Sequence, residues 1–99
     1  MNPNIEQKYQ DKIIAVLSAL FPNAEIYLFG SRARGTQSRW SDIDIALKEK
    51  EKIPRTLIRE AVSMFEASNI PYKIEIVDFN AVNDAMRTSI ANEGILWKK

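Results

Sequence analysis

The stretch Gly30-Ser31-Arg32-Ala33-Arg34-Gly35, with Ser41-Asp42-Ile43-Asp44-Ile45 close behind it, joins a small amide-rich turn to an alternating strand. In front of it, residues Glu25 to Phe29 read as a strand that delivers the chain directly to Gly30, and Ser31 reads as the cap of a short helix through Ala33. Thr36 to Trp40 is polar and reads as an exposed loop. Asp42 to Lys48 reads as a second strand, with Ile43, Ile45 and Leu47 on one face and Asp42, Asp44 and Ala46 on the other.

Working outward, Pro3 to Leu20 carries Ile5, Tyr9, Ile13, Val16, Leu17 and Leu20 at helical spacing, with Asn2 as a cap and Pro3 in the first turn. Beyond the charged connection Lys48 to Lys52, Pro54 opens a helix to about Ser68 whose apolar stripe is Ile58, Ala61, Val62 and Phe65. Tyr72 to Phe79 reads as a third strand. Asn80 is placed as the cap of a last helix bearing Val82, Ala85, Met86 and Ile90, which Gly94 terminates. Ile95-Leu96-Trp97 then reads as an apolar tail packed back on the domain. The order is αβ(α)βαβα, a small α/β fold with a short mixed sheet packed with helices.

The whole composition narrows the chemistry. The chain has 99 residues, enough for one domain, and Lys+Arg 14 against Asp+Glu 13 gives no global field to hold a nucleic acid. It has no cysteine and no histidine, so thiolate catalysis, imidazole bases and sulfur- or histidine-bound metals are excluded. Carboxylates remain as the metal ligands and bases. No apolar run approaches the roughly 18 residues of a membrane span, and the N-terminus lacks the charged-then-apolar order of a signal peptide, so a cytoplasmic protein is expected.

On a strand, Asp42 and Asp44 point the same way with Cα atoms about 6.5–7 Å apart, close enough to share or neighbour a divalent ion. Asp-x-Asp taken alone also describes a solvated strand face, just as Gly-Ser alone describes an ordinary turn. Their combination is more specific. Gly30 and Ser31 let backbone N–H groups approach a phosphate without a Cβ in the way, and Arg32 and Arg34 add guanidinium groups suited to phosphate oxygens. Glu75, set between Ile74 and Ile76, is the third acid, as a metal ligand or as acceptor of a hydroxyl proton; Asp78 faces the other way and reads as a turn or capping residue. The combination points to nucleotidyl transfer from a metal–nucleotide complex.

These residues resemble the minimal nucleotidyltransferases of the polymerase-beta superfamily, which carry Gly-Ser, about ten residues, Asp-x-Asp, and a third acid on a later strand. The match runs from Gly30 through Ile45 and extends to Lys73–Phe79 and to the ending Asn92-Glu93-Gly94-Ile95-Leu96. Glu75 departs from the aspartate usual in these small members. The resemblance implies a single nucleotidyltransferase domain over residues 1–99, acting as an antitoxin beside a HEPN-type ribonuclease toxin and transferring AMP from ATP to a toxin tyrosine. It implies Gly30 and Ser31 on the β- and γ-phosphates, and Asp42, Asp44 and Glu75 on two Mg²⁺ ions. The competing expectation is a non-catalytic nucleotide-binding module that neutralises its partner by complex formation. So small a domain needs a partner subunit or a second copy to complete its site, and Trp40, Trp97 and the apolar tail are candidates for that contact.

Overall fold

The alternation Ile43-Asp44-Ile45-Ala46-Leu47 sets the layers: isoleucine and leucine turn to one face of the sheet, and the aspartate and alanine to the other. The computed structural model describes residues 5–99 and orders them as α1 (Gln7–Leu20), β1 (Glu25–Phe29), α2 (Ser31–Arg34), β2 (Ile43–Lys48), α3 (Arg55–Glu66), β3 (Ile74–Asp78), α4 (Asp84–Glu93) and β4 (Ile95–Lys98). The sheet order is β3-β2-β1-β4, with β2 and β3 parallel and the β1–β2 and β1–β4 pairs antiparallel. The parallel pair is joined through the long helix α3, because parallel neighbours require a crossover.

The core lies on one side of this sheet. Ile13 and Leu17 of α1, one helical turn apart, and Ala61 and Phe65 of α3 cover Ile26, Leu28, Ile43, Ile45, Leu47 and Ile74. On the other side α4 lies against β1 and buries Ile90 apart from that cluster. Asp44 lies on this second face and is only partly buried.

Four details differ from the sequence reading. The first helix begins at Gln7, because Glu6 is extended (φ −62, ψ 137) and Ile5 enters the core ahead of the helix. The expected cap Asn2 and first-turn Pro3 lie outside the described residues. Ser31 is the first residue of α2, and Gly30 occupies the cap position. Asn83, whose side chain accepts from the Met86 N–H, caps α4 in place of Asn80. Asn80 instead donates to the carbonyls of Glu49 and Glu51, at 2.7 and 3.3 Å. Finally, the apolar tail is a strand: residues 95–98 pair with β1, which makes the sheet four-stranded. Four residues are too few to display a period of two, so the pattern gave no sign of it.

Asp78 acts as the turn residue expected. Only 5% exposed, it accepts from the N–H of Ile53 at 2.7 Å and of Asn80 at 2.9 Å, tying the entry of α3 to the end of β3. Asp78→Ala leaves one buried and one part-buried donor unpaired and is expected to cost about 2–4 kcal/mol. Thermal and urea unfolding measure that loss.

Candidate active site

Strand pairing assembles the site. Phe29 pairs with Asp44 across the antiparallel β1–β2 ladder, and Asp44 pairs with Glu75 across the parallel β2–β3 ladder. One row across the sheet therefore carries the end of β1, the second aspartate and the third acid, with neighbouring strands about 4.8 Å apart. Gly30, immediately after that row, has φ 75 and ψ −156, and a Cβ built on it would run into the Asp44 carboxylate. The Gly-Ser turn thus lies directly against Asp44. Among the described residues no hydrogen bond engages the Ser31 hydroxyl, which leaves it available to an incoming anion.

Burial raises the pKa of Asp44 first, and the negative charges of Glu75 and Asp42 add to it; Arg34 and Arg32 oppose them in part. The carboxyl is pushed up to about 6. A proton or a cation therefore relieves this side chain. Glu75 is exposed on β3 and its Oε1 lies 3.3 Å from the Lys73 ammonium. Among the described residues no three acidic side chains are already gathered as a metal cluster. The donor set nevertheless fits a hard divalent cation: it is all oxygen, mutually repulsive, and tethered at Glu75 only by a surface ion pair worth about 0–1 kcal/mol.

The two arginines have different places. Arg32, 3% exposed, donates from Nε and Nη2 to the Ser41 carbonyl at 3.1 and 2.8 Å and lies 4.4 Å over the Tyr72 ring. Its guanidinium holds the loop that leads into Asp42. Arg32→Lys keeps the charge but loses this fork. We expect a loss of about 1–3 kcal/mol in thermal unfolding and a slower transfer reaction, through displacement of Asp42. Arg34 is half exposed and reaches Glu93, with Nη1 to Oε2 at 3.2 Å. Glu93 is a residue that sequence reasoning did not select, because 59 positions separate it from Arg34. Its only signal was its place in the ending that resembles the family. Trp40, 66% exposed, stands at the turn before Asp42, whereas Trp97 packs on the core.

A Gly-Ser turn pressed against an Asp-x-Asp strand, with a third acid in register beside it, defines a small nucleotidyltransferase domain. Residues 11–98 match the family described as polymerase beta, nucleotidyltransferase, and the chain belongs to it. It is similar to the protein adenylyltransferase MntA of Shewanella oneidensis, 32% identical over 95 residues, covering 94% of this chain and 68% of that protein. It is also similar to the probable protein adenylyltransferase MntA of Haemophilus influenzae, 28% identical over 78 residues, covering 76% of this chain and 66% of that protein. A crystal structure of a toxin–antitoxin with AMP-PNP matches with a TM-score of 0.78 at 30% identity, covering 89% of this chain and 71% of that one. The chain spans about two thirds of the length of the curated relatives it matches. No described helix is long and apolar enough to cross a membrane.

Proposed function

We propose that this chain, as one nucleotidyltransferase domain over residues 1–99, is the antitoxin of a HEPN/minimal-nucleotidyltransferase pair in the cytoplasm. It transfers AMP from ATP to a tyrosine hydroxyl of its partner, a HEPN-family ribonuclease toxin. The observation that carries the reading is the contact of Gly30 with the Asp44 carboxylate, in a row that continues to Glu75. That contact supports reading the Gly-Ser turn as the phosphate-binding partner of Asp44. The relatives named protein adenylyltransferases, and a structural neighbour holding AMP-PNP, support the choice of an adenosine nucleotide.

In this reading Gly30, Ser31 and Arg34 bind the β- and γ-phosphates, and Arg32 keeps Asp42 in place. Asp42, Asp44 and Glu75 would hold two Mg²⁺ ions, which would supply charge neutralisation at the phosphates and at the reacting oxygens. The tyrosine oxygen attacks the α-phosphorus in line, and its proton passes to the Glu75 carboxylate. The bond to the bridging oxygen breaks, and pyrophosphate leaves with the electron pair. Purified chain with ATP and Mg²⁺ should release pyrophosphate in step with toxin added, and Asp42→Asn should not. Equal release with or without toxin would overturn the assignment of the acceptor.

One observation favours the non-catalytic reading: the Glu75 carboxylate is paired with the Lys73 ammonium at 3.3 Å. Under that reading the toxin is neutralised unmodified. Lys73→Ala separates the two, because freeing Glu75 should leave the rate of a working transferase equal or higher, by about two- to fivefold at most.

A further inference from the structure

Arg34 ends α2 one turn after the Gly-Ser pair. Gly35, at φ 77 and ψ 18, donates its N–H to the Ser31 carbonyl and stops the helix there. The backbone of Arg34 is therefore fixed, but its side chain is long, half exposed and costly in entropy to hold in one rotamer. Glu93, in the last turn of α4, holds one of its nitrogens at 3.2 Å.

Glu93 is itself on a firm mount. Ile90, one turn earlier, is 1% exposed beneath α4. Gly94 donates to the Ile90 carbonyl at 2.8 Å, and a Cβ at position 94 would run into that same carbonyl. The chain passes from there straight into β4, which is paired with β1. The ending Asn92-Glu93-Gly94-Ile95-Leu96 therefore carries Glu93 on a fixed backbone beside the Gly-Ser turn. Arg34 also lies within electrostatic reach of Asp44. Its guanidinium has five N–H donors in a planar fork, and Glu93 engages one nitrogen.

We infer that Glu93 is a positioning residue: from α4 it presents the Arg34 guanidinium to the triphosphate of the donor nucleotide. The inference rests on the reading of Arg34 as a phosphate contact. It also has a distinctive sign. A carboxylate beside a polyphosphate repels it, so Glu93 acting only as a charge would weaken nucleotide binding, and its removal would strengthen it. Glu93 holding Arg34 in place does the reverse.

The test is calorimetric titration of Mg·ATP into the full chain without toxin. Arg34→Ala is expected to weaken binding about tenfold or more, the loss of a charge-assisted phosphate contact. Glu93→Ala should weaken it about five- to tenfold. Glu93→Gln, which keeps an acceptor oxygen for Arg34, should cost about two- to threefold. The double variant should bind no worse than Arg34→Ala, because the pair acts as one unit. Glu93→Ala that binds as well as wild type or better, beside a weakened Arg34→Ala, overturns the positioning role and leaves the phosphate reading intact. Losses that add in the double variant also overturn it. Wild-type affinity in Arg34→Ala overturns both.

Discussion

Asp44→Asn should abolish nucleotidyl transfer and at the same time stabilise the metal-free protein at neutral pH. The first effect follows from the loss of a carboxylate at the centre of the row from β1 to β3, and is expected to exceed about a thousandfold, or roughly 4 kcal/mol in the barrier. The second follows from the raised pKa. Asp44 ordinarily titrates at 3.8 and is pushed up to about 6 in the folded chain, by burial and then by Glu75 and Asp42. The folded state thus holds its proton more tightly than the unfolded state. Stability linked to this group is fully present below about 3.8, falls as pH rises, and is lost above about 6. The shift corresponds at most to about 3 kcal/mol, and solvent screening of this half-exposed side chain reduces it to about 1–2 kcal/mol. The uncharged amide removes that penalty. Thermal unfolding of wild type and Asp44→Asn without divalent metal should therefore coincide at pH 4 and separate at pH 7.5, the variant being the more stable. Saturating Mg²⁺ should raise wild type and leave the variant nearly unmoved. A variant less stable than wild type at pH 7.5 would refute the electrostatic description of the site.

Gly30→Ala should damage both the fold and the site. The backbone there, at φ 75 and ψ −156, lies in a region that L side chains rarely adopt, and the added Cβ meets the Asp44 carboxylate. The two costs together are expected to reach about 2–4 kcal/mol in urea unfolding. Transfer should fall more than about a hundredfold, because the displaced group is the central acid itself. The costs separate in the double variant Gly30→Ala/Asp44→Ala: shortening Asp44 removes the collision and should restore part of the stability, leaving the backbone cost of about 1–3 kcal/mol. Gly35→Ala is the control. Its φ is 77, but nothing lies within 4 Å of the added carbon, so it should cost only about 1 kcal/mol and spare activity.

The sequence made the centre of this site readable and its periphery opaque, for a physical reason. Asp42 and Asp44 share a face because strand geometry alternates every residue, and Gly30-Ser31 follows directly on a strand. Both facts are local. The pairing of Asp44 with Glu75 needed only that β2 and β3 be parallel neighbours joined by a helix. By contrast, the destination of Arg32 was set by the Ser41 carbonyl and the Tyr72 ring, and that of Arg34 by Glu93. No period or spacing connects those partners. Capping of α4 went to Asn83 and not Asn80 because Asn80 met the carbonyls of Glu49 and Glu51 from a distant loop. The strand β4 escaped notice because its four residues take their conformation from β1.

The most direct measurement is the intact mass of the HEPN toxin co-expressed with this chain, either wild type or Asp42→Asn/Asp44→Asn. The expected result is a toxin carrying whole AMP units with wild type and none with the double variant, which still co-purifies with it. An unmodified toxin that co-purifies with both, and is neutralised by both, would contradict transfer and make this chain an inhibitor by binding.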